Sequence, residues 1–223
     1  MTFNLTQVWG YLAEKEIETK IFISVFYAVG IFGMLIPTSF PLFTKLVSLA
    51  LILSFLALYV FHPDIKSRKS QLVFLFIYLL SFTIEVAGVN TGLLFGKYQY
   101  GNSLGIKLFN TPIIIGLNWL LLVYISSSVV ERFRINTILK IILASSIMLA
   151  YDLILEQVAP QLGMWHFKVD VVPFQNYLAW FVIALLLQSV IKVNRIRTEN
   201  KLSLTILVSQ LLFFLILTIF LKQ

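Results

Sequence analysis

Three carboxyl side chains lie within strongly apolar stretches of this 223-residue chain, where acidic residues are rare. Glu85 lies in the segment Ser81-Phe-Thr-Ile-Glu-Val-Ala-Gly88, and Asp152 and Glu156 share a second apolar stretch. A spacing of four residues places the last two on one face of a helix. An ionised side chain at mid-membrane costs at least ~2.5 kcal/mol, so these acids indicate a functional site. A buried carboxyl that keeps its proton near neutral pH can act as a general acid.

Two other interpretations of the acids stay open at this point. They could be interfacial carboxylates that pair with lysines of nearby loops, namely Lys97, Lys107 and Lys168. The spacing of Asp152 and Glu156 also fits half of a magnesium–diphosphate motif of the kind found in membrane prenyltransferases, which needs a second cluster. Cysteine is absent, and the two histidines are predicted in loops on opposite sides of the membrane. We therefore expect no metal site.

The remaining sequence predicts a membrane-embedded helical scaffold around these acids. Hydrophobic residues make up 59% of the chain and charged residues 12%, with a mean hydropathy of +0.93. We predict an all-α, polytopic integral membrane protein that forms a single domain over residues 1–223, with about seven transmembrane helices. The predicted helices cover residues 20–36, 42–61, 72–88, 112–130, 137–157, 174–191 and 203–221.

The basic residues predict the orientation of the chain. If the helices alternate in direction, most of the 17 basic residues fall on the side of the N-terminus, which the positive-inside rule places in the cytoplasm. We therefore expect a multi-pass protein of the cytoplasmic membrane. The net charge of +7 is spread over short loops rather than one face, so we expect no nucleic-acid partner.

Two long connections, residues 89–111 and 158–173, are predicted to lie together on the outer side. Both are rich in glycine and aromatic residues, and each ends at a proline, Pro112 or Pro173, that is predicted to start a helix. An asparagine and a tryptophan occur early in each following helix: Asn118 with Trp119, and Asn176 with Trp180. This similarity predicts a weak internal repeat.

The third predicted helix and the loop after it contain the pattern Glu85-x-x-Gly88-x-x-Thr91-Gly92-x-x-Phe95-Gly96-x-Tyr98-x-Tyr100, followed by Leu104-Gly105. This pattern resembles a family of bacterial and archaeal membrane proteins called carotenoid biosynthesis proteins, whose characterised members are carotenoid hydratases. Further matches are Pro112 with Trp119, Asp152-x-x-x-Glu156, Gly163-x-Trp165, and Val172-Pro173-x-x-Asn176-x-x-x-Trp180. The resemblance covers residues of about 80–182. Departures occur at Gln157, at His166-Phe167 and at Ala179, which leave the particular substrate undecided.

The resemblance implies that water is added across the terminal C1=C2 double bond of an acyclic carotenoid end group, giving a tertiary alcohol. This reaction needs a proton donor at C2, stabilisation of the cation at C1 and one positioned water, but no cofactor. Glu85 or Asp152 suits the donor, and Glu156 is the third candidate acid. Asn118, Asn176 or a second carboxylate is expected to hold the water.

Five aromatic residues are candidates to bind the substrate and stabilise the cation: Tyr98, Tyr100, Trp119, Trp165 and Trp180. Taken singly, each ring is more commonly part of an interfacial aromatic belt. The expected partners are the carotenoid substrate and the bilayer, and other enzymes of the carotenoid pathway are candidate partners. Two rival functions stay open, a carotenoid cyclase and a non-catalytic carotenoid-binding or assembly protein.

Overall fold

The computed structural model describes residues 14–169 and 171–221. The helices of this part of the chain are α1 (Glu16–Leu35), α2 (Phe40–Lys45), α3 (Val47–Val60), α4 (Arg68–Thr91), α5 (Ile114–Val130), α6 (Thr137–Leu155), α7 (Phe174–Val193) and α8 (Ser203–Leu221). Four short strands are also present: β1 (Tyr98–Tyr100), β2 (Lys107–Leu108), β3 (Thr111–Pro112) and β4 (Trp165–Phe167). The protein is mostly helical, as its hydrophobic pattern predicts.

Five of these helices, α1, α4, α6, α7 and α8, are long and apolar enough to cross a membrane. Helices α3 and α5 are also apolar but have only 14 and 17 residues. Many large hydrophobic side chains on the outer helices, such as Phe22 and Phe76, are exposed on the surface of the bundle. Such surfaces suit lipid, so this is a membrane protein. Each predicted span contains a helix, while the count of seven crossings stays a prediction.

Helix α5 is the centre of the bundle. Nearly all of its side chains are buried, and it packs against α3, α4, α6, α7 and α8. A helix that is surrounded by other helices has no exposed face, and even its polar residues Asn118, Ser126 and Ser127 are buried. Because Asn118 and Trp119 lie in its first turns, they are held deep inside the protein.

The second predicted helix, residues 42–61, is not continuous. Helix α2 ends at Lys45 and α3 begins at Val47, with Leu46 between them. Phe43 of α2 packs directly over Gly33 of α1, where an added Cβ would lie 2.3 Å from the ring. This tertiary contact ties α2 to α1 while α3 packs on α5, and the sequence carries no local signal for the break.

The salt bridges of the inter-helix segments gather at one end of the bundle. They join Glu131 to Lys140 and Lys192, Asp64 to Arg197, and Glu16 to Lys201. These residues belong to four segments that are predicted to share the cytoplasmic side. The ion pairs place all four segments at the same end, which is what alternating helices require.

The opposite end is closed by the two glycine- and aromatic-rich connections. Strand β1 pairs antiparallel with β4, and Tyr98 stands opposite Phe167 while Tyr100 stands opposite Trp165. The two connections therefore lie together, as predicted. The predicted helix start at Pro112 is wrong, because Pro112 belongs to β3 and pairs with Lys107, and α5 begins at Ile114.

Candidate functional site

The three acids of the apolar segments lie close together below the β1–β4 pair. Glu85 lies on α4, Asp152 on the last turns of α6, and Glu156 directly after α6 ends at Leu155. All three are buried, with 3%, 0% and 6% of their surface exposed. Since buried acids need partners, the hydrogen bonds around each one define the site.

Glu85 accepts three hydrogen bonds from aromatic side chains. The hydroxyls of Tyr98 and Tyr100 donate to its Oε2 at 2.6 and 2.8 Å, and the indole Nε1 of Trp119 donates to its Oε1 at 2.8 Å. Two residues apart on β1, the tyrosines point to the same face of the strand. Burial, and after it the negative charge of Glu85, raises the pKa of both tyrosines, so both hydroxyls stay protonated and able to donate.

Two glycines allow β1 to reach Glu85. Gly92 has a φ of 69° and ends α4 in the left-handed conformation, which turns the chain back toward the site. Gly101 follows β1 directly, and a Cβ there would lie 2.1 Å from the carbonyl oxygen of Gly163. Only a residue without a side chain lets the two connections approach this closely.

Asp152 and Glu156 form a second cluster around Asn176. The side-chain amide of Asn176 donates to Asp152 Oδ2 at 3.3 Å and to Glu156 Oε1 at 3.2 Å. Trp165 of β4 donates its Nε1 to Glu156 Oε2 at 2.9 Å. Pro173 is the N-cap of α7 and so places Asn176 in the first turn of that helix. Among the described residues, Asp152 Oδ1 has no hydrogen-bond partner.

The lysine-pairing interpretation of the acids is wrong. Within the described part of the chain, no salt bridge involves Glu85, Asp152 or Glu156. Lys107, one of the three predicted partners, donates its ammonium group to the carbonyl oxygen of Tyr100 at 2.6 Å instead. The acids are therefore held by tyrosine, tryptophan and asparagine donors that carry no charge.

The aromatic-belt interpretation is also wrong for these rings. Tyr98, Tyr100, Trp119, Trp165 and Trp180 are all buried inside the protein. The rings of Trp119 and Trp180 stack with centroids 3.9 Å apart, so the two tryptophans of the weak repeat meet across α5 and α7. Tyr100 packs edge-on against Trp165 with centroids 6.0 Å apart.

A small cavity of about 20 Å³ lies between the two clusters. Its wall contains the carboxyls of Glu85 and Glu156, the amides of Asn118 and Asn176, Ile115, and the rings of Phe95, Tyr98, Tyr100, Trp165, Phe167 and Trp180. Asn118 is only 5% exposed, and its described contacts include no side-chain hydrogen bond. Asp152 and Trp119 lie behind the wall, where they contact the residues that form it.

Sequence reasoning missed three wall residues: Phe95, Ile115 and Phe167. Phe95 carried a usable signal, because it lies between two glycines of the pattern that contains Glu85. Phe167 reaches the wall through the β1–β4 register, opposite Tyr98, which the sequence does not reveal. Among the described residues, no group of three His, Cys, Asp or Glu side chains is arranged to hold a metal ion.

Fold and site together define a helical membrane protein with a buried cavity of carboxyl, amide and aromatic groups. The family described as "Carotenoid biosynthesis protein" matches residues 43–223, so the chain belongs to that family. This match extends beyond the region of about 80–182 that carries the recognisable motifs.

One curated relative is the bisanhydrobacterioruberin hydratase of Haloarcula japonica. It is 27% identical to this chain over 128 residues, and the match covers 52% of this chain and 42% of the relative. The chain thus matches less than half the length of that relative. No solved structure matches the chain.

Proposed function

We propose that this protein is a carotenoid hydratase that adds water to the terminal C1=C2 double bond of an acyclic carotenoid end group. The observation that carries the proposal is a single cavity that is lined by Glu85 and Glu156 together with aromatic rings and two asparagines. The family and the hydratase relative support the same substrate class and reaction.

Glu156 is the proposed proton donor. It lies on the cavity wall, and burial raises the pKa of its carboxyl to about 7, so a large fraction carries a proton near neutral pH. Trp165 and Asn176 fix its orientation. Asp152 lies behind the wall and has one long hydrogen bond, so we assign it a positioning role on Asn176 instead of direct proton transfer.

Glu85 is the proposed stabiliser of the cation. In this proposal Glu85 acts as a carboxylate to which the two tyrosines and Trp119 donate, and its negative charge beside the cavity lowers the energy of a positive charge that develops at C1. The faces of nearby rings add to this effect, with about 0.5–2 kcal/mol for a well-placed ring. Trp180 is the ring whose position is best fixed, because Trp119 stacks on it.

The atoms balance with water alone. Glu156 gives its proton to C2, and the tertiary cation forms at C1. A water held by the amides of Asn118 and Asn176 then adds its oxygen to C1, and the proton that this water loses returns to the Glu156 carboxylate. The donor is restored after each turnover, and neither electrons nor a further reactant are needed.

We further propose a single-domain protein of the cytoplasmic membrane with seven spans, a cytoplasmic N-terminus and the acid cavity near the outer surface. The ion pairs at one end and the β1–β4 pair at the other support this arrangement. Because the chain has no cysteine, single cysteines can test it. In intact cells an impermeant maleimide should label Ile106→Cys but not Arg132→Cys, and the reverse pattern would overturn the orientation.

The activity is tested by expressing the chain in a bacterial host engineered to make lycopene and analysing its pigments by chromatography with mass spectrometry. We expect a more polar pigment heavier by one water, and none in cells with Glu156→Gln at equal membrane level. A new pigment of unchanged mass would show that the protein is a cyclase and not a hydratase. Unaltered lycopene, and an unaltered monocyclic carotene in a second host that makes it, would refute the proposal if the protein is confirmed in the membrane.

A further inference from the structure

A second and larger cavity lies beside the acid cavity. It has a volume of about 90 Å³ between α1, α3 and α8, and its wall is formed mainly by aliphatic and phenylalanine side chains such as Phe26, Leu51 and Phe214. One residue, Asn118, lines both cavities. The larger cavity, called here the apolar channel, is thus separated from the acid cavity at this point by the side chain of Asn118.

The apolar channel reaches from the lipid-facing surface toward the acids. Val29 and Leu46 line it and are 51% and 37% exposed, so its outer part opens where α1 meets the break between α2 and α3. Leu155 and Met164 line its inner part and are buried. Leu155 directly precedes Glu156, which places the inner end beside the second acid cluster.

Apart from Asn118, the polar side chains along the channel are hydrogen-bonded to one another or to Ser54. Tyr151 donates its hydroxyl to Gln210 Oε1 at 3.2 Å, and the Gln210 amide donates to the hydroxyl of Tyr27 at 2.8 Å. Tyr27 in turn shares a hydrogen bond of 2.8 Å with Ser54. Polar atoms that are occupied in this way leave a wall that behaves as apolar, and such a wall favours a hydrocarbon over a polar ligand.

We propose that the apolar channel binds the hydrocarbon chain of a linear isoprenoid, which enters sideways from the lipid and presents its terminal double bond past Asn118 to the acid cavity. This inference rests on the proposed function and adds where the chain lies. Any part of a long chain beyond Val29 and Leu46 remains in the bilayer. The small residues Ala50 and Gly30 line the channel and so leave room for a chain to enter.

The proposal is tested by changing alanine to leucine at two positions that line different cavities. Ala50→Leu fills the channel, whereas Ala28→Leu adds the same atoms on the other side of α1, in a groove that Leu204 and Val208 also line. Each purified variant is placed in phospholipid vesicles and titrated with a linear forty-carbon polyene, and binding is measured as quenching of tryptophan fluorescence. We expect Ala50→Leu to weaken binding about tenfold or more, because displaced apolar contact is lost. Ala28→Leu should change it less than about twofold.

Gly30→Leu is the second channel variant, in case Ala50→Leu does not assemble. A Cβ at Gly30 lies 3.2 Å from the Phe213 ring, so a larger side chain there narrows the channel from the side of α1. Both channel variants should still convert a ten-carbon acyclic alkene, because its short chain does not need to occupy the apolar channel. Loss of polyene binding with retained conversion of the short alkene supports a chain-binding channel.

The two proposals fail in different ways. Equal polyene binding by the wild type and by folded channel variants would overturn the channel, whatever the enzyme activity. A wild type that binds the polyene through the channel but hydrates neither substrate would leave the channel standing and refute the hydratase function.

Discussion

Replacing Glu156 by glutamine removes the proposed acid while nearly preserving its shape. The glutamine oxygen can still accept the hydrogen bond that Trp165 donates to Oε2 at 2.9 Å. Its amide nitrogen then faces the amide of Asn176, which donates to Oε1 at 3.2 Å in the wild type. Two donors cannot bond to each other, so Asn176 has to turn its amide over or lose one contact.

The structural cost of this change is small compared with the catalytic one. One lost neutral hydrogen bond destabilises a protein by about 0.5–1.5 kcal/mol. General-acid catalysis contributes about 10²- to 10⁴-fold, equivalent to about 3–5 kcal/mol of activation free energy. We therefore expect Glu156→Gln to remain folded in the membrane and to lose about 10²- to 10⁴-fold in kcat/KM.

The assay compares initial rates of product formation in vesicles that contain equal amounts of folded wild-type and variant protein. Glu199→Gln is the matched control, because it makes the same chemical change at an exposed residue of the α7–α8 connection. It should keep activity within about twofold. Glu156→Gln with the activity of the control would refute the assignment of Glu156 as the acid.

The pH dependence should carry the signature of the same group. A general acid acts in its protonated form, and burial raises the pKa of Glu156 to about 7. Wild-type kcat/KM should therefore fall about tenfold per pH unit above pH 7. The residual activity of Glu156→Gln should lack this fall, and a wild type whose activity rises through pH 7 would contradict the mechanism.

Two further predictions concern the residues around Glu85. Tyr98→Phe combined with Tyr100→Phe removes both donors to Oε2, and since a hydrogen bond to a charged group contributes about 1.5–3 kcal/mol, kcat/KM should fall at least about tenfold. An unchanged kcat/KM would show that Glu85 is not the stabilising charge. Gly101→Ala brings a Cβ to 2.1 Å from the Gly163 carbonyl, so a thermal unfolding assay in detergent should give a lower Tm, and an unchanged Tm would show that the β1–β4 pair does not need this approach.

The helices of the fold could be predicted largely from sequence, because each is an apolar run between polar loops. Helix α8 has the predicted bounds, and α7 agrees within two residues. The break at Leu46 could not be predicted, because no glycine or proline marks it and it depends on Phe43 packing against another helix. The pairing of β1 with β4 was equally hidden, since β4 lies more than sixty residues further along the chain.

The site was predictable as a set of residues but not as an arrangement. Apolar surroundings identified Glu85, Asp152 and Glu156, and a two-residue spacing is enough to place Tyr98 and Tyr100 together once a strand is assumed. Which of the acids faces the cavity depends on where α6 ends and on the direction of the Asn176 amide. Such details are decided by contacts between elements that no local pattern records.

The central claim is that oxygen from water is added to an acyclic carotenoid end. The most direct measurement uses purified protein in vesicles, an acyclic carotene and water labelled with heavy oxygen, followed by mass spectrometry of the product. We expect a tertiary alcohol that carries a single labelled oxygen at each converted end. It should form without added cofactor and should not form with the Glu156→Gln variant. An alcohol that carries unlabelled oxygen, or a product isomeric with the substrate, would contradict it.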